Sequence, residues 1–457
     1  MNRRRFLGGA ALLAATAGHD SRMGAAVSGS RVIDSCGCDF QAVDGSYAYH
    51  PEGQAAGREA FRELGSGLTI TNLKVFGVSL TPHSDRPYVF VKLETNQGIV
   101  GWGEGTLEGK AQSVMSCIQD FRDFLIGSDP MQVEHLWQSM YVHSFYRAGP
   151  VIGSAISGID QALWDIRGKA LNVPVYQLLG GPFDARGIRG YYHVESVATA
   201  EDLAQLRATA LKQGVSCLKL GLPDSDYEWI ETNAKIERAV RFMQRVREGL
   251  GDSIDIAVDF HAKMGPSVAS ILIKEVEPLN LLFVEEPCPP ENVQAMAKIA
   301  SRTTTPIATG ERLVAAYGCR ELIELGAVDI LQTDINHVGG ISALWKVAAM
   351  ANISNISMAP HACEGPIGGL ATLHVDAAMP NFLVQEICSF VKPGDKEKVW
   401  AEWFSFPAMR MVDGRVPLPT KAGLGFELNE ADLSKYPFGG TVPMAFVFHQ
   451  DGSVAAL

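Results

Sequence analysis

Residues 254–287 read IDIAVDFHAKMGPSVASILIKEVEPLNLLFVEEP. The run opens on a short apolar stretch ending in Asp259, crosses a helix-length segment and closes on a second apolar stretch ending in Glu285. Apolar runs this short, bounded by turn residues, read as buried strands. A strand and a helix in ~25–30 residues form the repeating unit of a (β/α) barrel. The unit recurs: PIATGE ends at Glu311, VDILQTD at Asp334, ISMAPH at His361 and FLVQE at Glu386. From Asp259 onward the polar residues stand 26, 26, 23, 27 and 25 apart. Parallel barrel strands gather their carboxyl ends at one mouth. These six residues, with His261 beside Asp259, are therefore expected in one pocket.

Working outward, GYYHV (190–194) and SCLKLGL (216–222) supply two earlier strands, the second carrying Lys219 near its end. Eight strands and seven helices predict an α/β fold, a modified TIM barrel of (β/α)7β type over residues 189–390. Before it, LTITNLKVFGVSL (68–80) and YVFVKLETNQGIVGWGEG (88–105) alternate, with a turn at Thr95–Gly98. That pattern predicts an antiparallel sheet. Helical periodicity follows from about Ala111 to Leu179, and Gly180 and Gly181 are expected to stop it. Residues 67–188 thus read as a separate α+β domain. The tail, 391–457, holds the turn-rich MRMVDGRVPLPTKAGLGFELN (409–429) and is expected to complete that domain.

The amino terminus reads MNRRRFLGGAALLAATA (1–17). A basic start, an apolar stretch and small residues in that order make an export signal, and RRxFL points to the twin-arginine route and the periplasm. Cleavage after Ala17 removes three arginines and no acid. Residues 18–66, rich in Gly, Ser and Ala, read as a loosely ordered lead-in. The formal net charge of −12 argues against nucleic acid as a partner, and no apolar run is long enough to span a bilayer. The eight cysteines are scattered, and the Cys36/Cys38 pair is too close for an easy disulfide. A homo-oligomer is expected.

The expected pocket has a definite chemistry. Three carboxylates aimed at one point repel unless a cation sits between them. Oxygen ligands without Cys or His suit Mg²⁺, with Mn²⁺ as the substitute. Glu286 adjoins Glu285 and, by strand alternation, only one of them should ligate. Alternation also aims His261 the way Asp259 points. Asp334 beside His361 would fix the tautomer of that imidazole and make it a better base. Glu386 can hydrogen-bond a substrate oxygen. Such a site suits removal of a proton from the carbon next to a carboxylate.

The chain resembles the enolase superfamily, mandelate racemase subgroup, and within it the D-galactonate dehydratase-like acid sugar dehydratases. The likeness rests on VGWGEG (100–105), FYRAGPVIGSAISGIDQALWDIRGKALNVPVYQLLGG (145–181), VDFH (258–261), VEEP (284–287), PIATGERL (306–313), DINHVGG (334–340), APHACEGPIG (359–368) and LVQE (383–386). It implies Asp259, Glu285 and Glu311 as metal ligands. It implies His361 with Asp334 as the base at C2, His261 as the acid at the C3 hydroxyl, and Glu386 as support for the enolate. The product implied is a 2-keto-3-deoxy sugar acid. Lys219 is followed by Leu220 and Gly221, so the second lysine of the racemases' Lys-x-Lys is missing, which favours dehydration. The alternatives are a racemase or epimerase and a non-catalytic sugar-acid binder on the same scaffold. The chain departs from the galactonate group at Gly221, usually Asn, and at ICSFVKPG (387–394), where that group has a His-containing segment. In this superfamily cap loops close over the mouth, so His83, Arg86 and Arg147 are the candidates for reading the substrate.

Overall fold

The computed structural model describes residues 31–33, 39–43, 46–49 and 65–456, apart from 82–83, 85, 195–196, 223–227, 363–364, 388–408 and 445. The export signal, Cys36, Cys38 and His83 lie outside the described residues. Within the lead-in expected to be loosely ordered, β1 (Arg31–Ile33), β2 (Asp39–Val43) and β3 (Ser46–Tyr49) pair as a small antiparallel sheet.

The cap opens with an antiparallel sheet of β4 (Ile70–Val78), β5 (Tyr88–Thr95) and β6 (Val100–Glu104). Gly98, at φ +76°, makes the turn between the last two. The sheet packs on the 22-residue helix Pro150–Leu171. VGWGEG explains the closeness of that contact. Alternate residues of a strand face one way, and here they are Gly101, Gly103 and Gly105. A Cβ on Gly101 would run into the Ala162 carbonyl, and one on Gly103 into the Gly158 carbonyl. The helix stops earlier than the glycine pair predicts: Asn172, at φ +54°, caps it, and a short turn of helix, Val175–Leu178, precedes Gly180.

The barrel strands are β7 (Ile188–Val194), β8 (Cys217–Gly221), β9 (Asp255–Asp259), β10 (Phe283–Glu285), β11 (Ile307–Thr309), β12 (Ile330–Leu331), β13 (Ser357–Met358) and β14 (Gln385–Ile387). All pair in parallel in the order β13-β12-β11-β10-β9-β8-β7-β14. The ring closes where Met358 bridges Phe382. One residue from each strand region forms a buried apolar floor: Tyr191, Cys217, Ala257, Phe283, Ala308, Ile330, Ala359 and Val384. Large and small side chains alternate irregularly around it and fill the interior, as a TIM barrel requires.

The carboxyl-terminal segment returns to the first barrel strand and to the cap sheet. β15 (Arg415–Val416) pairs antiparallel with the beginning of β7. Glu430 accepts from Lys74 at 3.2 Å and from Lys92 at 2.7 Å, on the first two cap strands. None of the described helices is long and apolar enough to cross a membrane.

Candidate active site

Strand alternation builds the site. Two residues past each floor position, the side chain faces the same interior one layer higher. Those positions hold His193, Lys219, Asp259, Glu285, Gly310, Gln332, His361 and Glu386. His193 lies on a strand before the evenly spaced series and is not among the residues that series singles out. The offset from Tyr191, matching that of Lys219 from Cys217, is the signal that would have found it. His193 lies in register with Lys219, and its Nδ1 is 3.6 Å from Glu386 Oε1. Burial and the neighbouring Lys219 charge push its pKa down. Gln332 is fully buried with neither side-chain amide atom hydrogen-bonded. On strands five and six the acids stand further along, after Gly310 and Gln332.

Lys219 is buried between two acids. Its Nζ lies 3.1 and 3.0 Å from the two oxygens of Glu285 and 2.7 Å from Glu386 Oε1. Burial alone would lower its pKa, but Glu285 and Glu386 raise it well above the usual lysine value. Glu285 responds in the opposite sense. Burial pushes it up to about 8, helped by Asp259, Glu386 and Glu311 and opposed by Lys219. Its Oε2 has an ion-pair distance to Lys219 but no hydrogen bond. Glu386 is held well below the carboxylate range: burial opposes this, and Lys219, His361 and His193 outweigh it.

Glu286 turns to a different partner. At φ +39° it leaves the strand path, and its two oxygens accept from Arg312 at 2.9 and 2.7 Å. That pairing occupies Glu286 and leaves Glu285 on the interior.

His261 reaches the pocket for a reason that alternation does not supply. β9 ends at Asp259, and His261 sits in a turn at φ +49°, followed by Ala262 at φ +52°. Its backbone N–H donates to Asp259 Oδ1 at 2.6 Å. Non-glycine residues in this region are strained, and such strain is concentrated at functional sites. The ring then lies with Nε2 3.9 Å from Glu311 Oε1, while His361 Nε2 lies 3.5 Å from Glu311 Oε2. One carboxylate thus stands between two imidazoles. Burial opposes its ionisation, but His361, His261, Lys219 and Arg312 together hold Glu311 at about 2.

His361 Nδ1 lies 2.7 Å from Asp334 Oδ2. A carboxylate only accepts, so Nδ1 carries a proton, and Nε2 is the nitrogen left facing the pocket. That atom points toward Glu311 and, at 3.9 Å, toward Glu386 Oε2. Of the cap candidates, Arg86 lies 3.5 Å from Glu108, which in turn is 3.9 Å from His337 of the DINHVGG segment. Arg147 is exposed on the turn before Pro150.

Among the described residues, no three His, Cys, Asp or Glu side chains stand close enough together to hold a metal ion as they are. The donor set nevertheless suits a hard divalent cation. Asp259 and Glu285 end adjacent strands in register, Glu311 follows on the next, and Glu285 Oε2, though at ion-pair distance from Lys219, accepts no hydrogen bond.

Residues 201–432 match the family described as enolase C-terminal domain-like, and residues 69–180 match the mandelate racemase / muconate lactonizing enzyme N-terminal domain. The chain belongs to the enolase superfamily, in its mandelate racemase group. It is 38% identical over 349 residues to D-galactonate dehydratase of Pectobacterium atrosepticum, covering 75% of this chain and 89% of that one. A crystal structure of an enolase from Pantoea ananatis with bound D-gluconate and magnesium superposes with a TM-score of 0.77 at 30% identity, covering 85% of this chain and 99% of that one. A member of the enolase superfamily from Salmonella Typhimurium gives a TM-score of 0.75 at 28% identity, covering 81% and 98%.

Proposed function

We propose that this superfamily member is a Mg²⁺-dependent hydro-lyase that dehydrates an acid sugar of the aldonate type to a 2-keto-3-deoxy acid. The observation that carries the reading is the His361–Asp334 pair, whose Nε2 faces the layer of carboxylates. The names of the relatives, a galactonate dehydratase and a gluconate-bound enolase, support the substrate class.

Asp259, Glu285 and Glu311 would hold the metal, which would stabilise the negative charge that develops on the substrate carboxylate. His361 Nε2 takes the C2 proton, and Asp334 steadies the imidazolium formed. Lys219, held between Glu285 and Glu386, places a fixed positive charge beside the same carbon framework. His261 gives a proton to the C3 hydroxyl as it leaves. With 34% of its side chain exposed, it is the more open of the two histidines and the better placed to meet a leaving group. The enol then tautomerises to the keto acid.

Export by the twin-arginine route and a periplasmic location are part of the same proposal, supported by Arg3, Arg4 and the weakly apolar stretch that follows. The test of the reaction is a library of C5 and C6 aldonates incubated with enzyme and Mg²⁺, with products assayed as 2-keto-3-deoxy acids. Epimerised substrate without keto product would replace dehydration by epimerisation. No change in any aldonate would remove the aldonate reading.

A further inference from the structure

Behind the His361–Asp334 pair, two cap side chains reach the barrel that the mechanism above does not use. Glu104 ends β6 and is fully buried. Its Oε2 accepts the backbone N–H groups of Ile367 at 3.0 Å and Gly368 at 2.9 Å, and its Oε1 accepts the Thr106 hydroxyl at 2.6 Å. Those two amides open the helix Pro366–Ala378, which starts just after the His361 loop. Gly365 makes room for this contact, since a Cβ there would run into the Glu104 carboxylate.

Gln161, midway along Pro150–Leu171, grips the same strand end. Its Oε1 accepts the Glu104 N–H and its Nε2 donates to the Glu104 carbonyl, both at 3.0 Å. The same Nε2 donates to Asn336 Oδ1 at 3.0 Å, and the Asn336 N–H donates to Asp334 Oδ1 at 2.6 Å. The acid of the pair is therefore tied to the cap through Asn336, and the helix that follows the His361 loop begins on the same point of the cap. A buried carboxylate is a demanding way to cap a helix, because desolvation opposes its charge. Burial pushes Glu104 up to about 7, against the hydrogen bonds that favour its ionised form. A serine or asparagine would cap at less cost.

We propose that Glu104, gripped by Gln161, is a positioning residue through which the cap domain sets the geometry of the His361–Asp334 pair. It touches neither substrate nor reacting atoms. It acts through the start of Pro366–Ala378 on one side and through Asn336 on the other. The kinetic consequence rests on His361 being the base; the geometric consequence does not.

The experiment compares wild type, Glu104→Gln and Gln161→Met, all loaded with Mg²⁺ and checked for folding by thermal melts. The first readout is the low-field proton resonance of His361 Nδ1–H, identified by its absence in His361→Asn, and needs no substrate. Both variants should broaden this resonance and speed its exchange with water about tenfold or more, as a loosened hydrogen bond requires. The second readout is turnover of D-gluconate, or of whichever aldonate wild type converts. A small misplacement of a reacting group costs on the order of 100-fold, so kcat should fall by roughly that factor with KM little changed. Glu104→Asp should recover part of the loss. If Glu104→Gln does not fold, Gln161→Met carries the test. An unaltered resonance and exchange rate in the folded variants overturns the proposal, as does a change confined to KM. A disturbed resonance in an enzyme that converts no aldonate supports the positioning role and sinks the proposed reaction instead.

Discussion

His361 Nδ1 lies 2.7 Å from Asp334 Oδ2, and the two residues follow neighbouring strands β13 and β12 of the ring. No such partner holds His261, whose Nδ1 is buried without a hydrogen bond. The two imidazoles should therefore be separable. In heavy water, His361→Asn should neither exchange the C2 proton nor dehydrate, with a loss of about 10²–10⁴-fold. His261→Asn should dehydrate poorly yet still exchange. Exchange in the first variant and not in the second would swap the two roles.

The interior carboxylates should make the protein a cation binder. Mg²⁺ at 100 times its dissociation constant should stabilise the fold by about 2.7 kcal/mol, and exhaustive chelation should abolish turnover. Glu311→Gln should lose both effects. A melting temperature indifferent to Mg²⁺ in wild type would leave Asp259, Glu285 and Glu311 without their proposed role.

Lys219→Met removes the cation between Glu285 and Glu386. Stranding a buried charge costs about 3–5 kcal/mol, so the metal-free variant should melt well below wild type. Mg²⁺ should recover more stability in the variant than in wild type, because it then supplies the missing positive charge. Equal Mg²⁺ responses in the two proteins would mean that the lysine and the metal act on separate carboxylates.

Stability should also depend on pH through Asp160, a fully buried acid of the long cap helix. It accepts from the Ser342 N–H at 2.9 Å and from the Ser342 hydroxyl at 2.6 Å, with Lys346 and Glu134 the nearby charges. Burial pushes its pKa from 3.8 up to about 7. Between those values the folded protein keeps a proton that the unfolded chain has lost, so stability falls as pH rises. The contribution is full below pH 3.8 and is lost as pH rises through about 7. Relative to Asp160→Asn, which stays neutral, wild type should lose up to about 4 kcal/mol across that window. Melts of both proteins at several pH values measure it. A constant gap would show that Asp160 titrates alike in both states.

Gly103→Ala places a methyl group against the Gly158 carbonyl. Backbone on both sides has little room to yield, so the cost should exceed the ~1–3 kcal/mol usual for overpacking. A melt should show it, while Gly98→Ala, with open space around it, should lose stability only through its φ of +76°.

Replacing Arg3 and Arg4 by lysine should leave the full-length precursor in the cytoplasm. Cell fractionation of a tagged chain decides the matter, and normal periplasmic yield from the variant would make the arginine pair a coincidence.

Much of this architecture is legible in the sequence because the barrel repeats. Strand–helix units of nearly constant length put Asp259 to Glu386 at strand ends, and the structure places them around one interior. His193 stands on β7, outside the even series that starts at Asp259, and only the two-residue offset from the apolar floor marks it. The choice between Glu285 and Glu286 depends on Arg312, a residue of the next strand's loop, and no local pattern contains that pairing. Alternation aimed His261 correctly but for the wrong reason, since a left-handed turn, not a strand, carries its ring inward. The links from Glu104 and Gln161 to the base pair join residues 175 to 264 positions apart, beyond any local reading.

The return of the chain end to its beginning has a bearing on timing. Lys74 and Glu430 are 356 positions apart, with the entire barrel made between them. Closing so long a loop adds little to the equilibrium cost, about 0.6 kcal/mol for each doubling of length. It does fix an order of events. While synthesis is under way, the edge at Ile188 and Arg189 has no β15 to pair with, and Lys74 and Lys92 of the cap sheet have no Glu430. The cap strands are thus made before the barrel and meet their last partners after it, and a chain cut short before Arg415 leaves the ribosome with an unsealed edge.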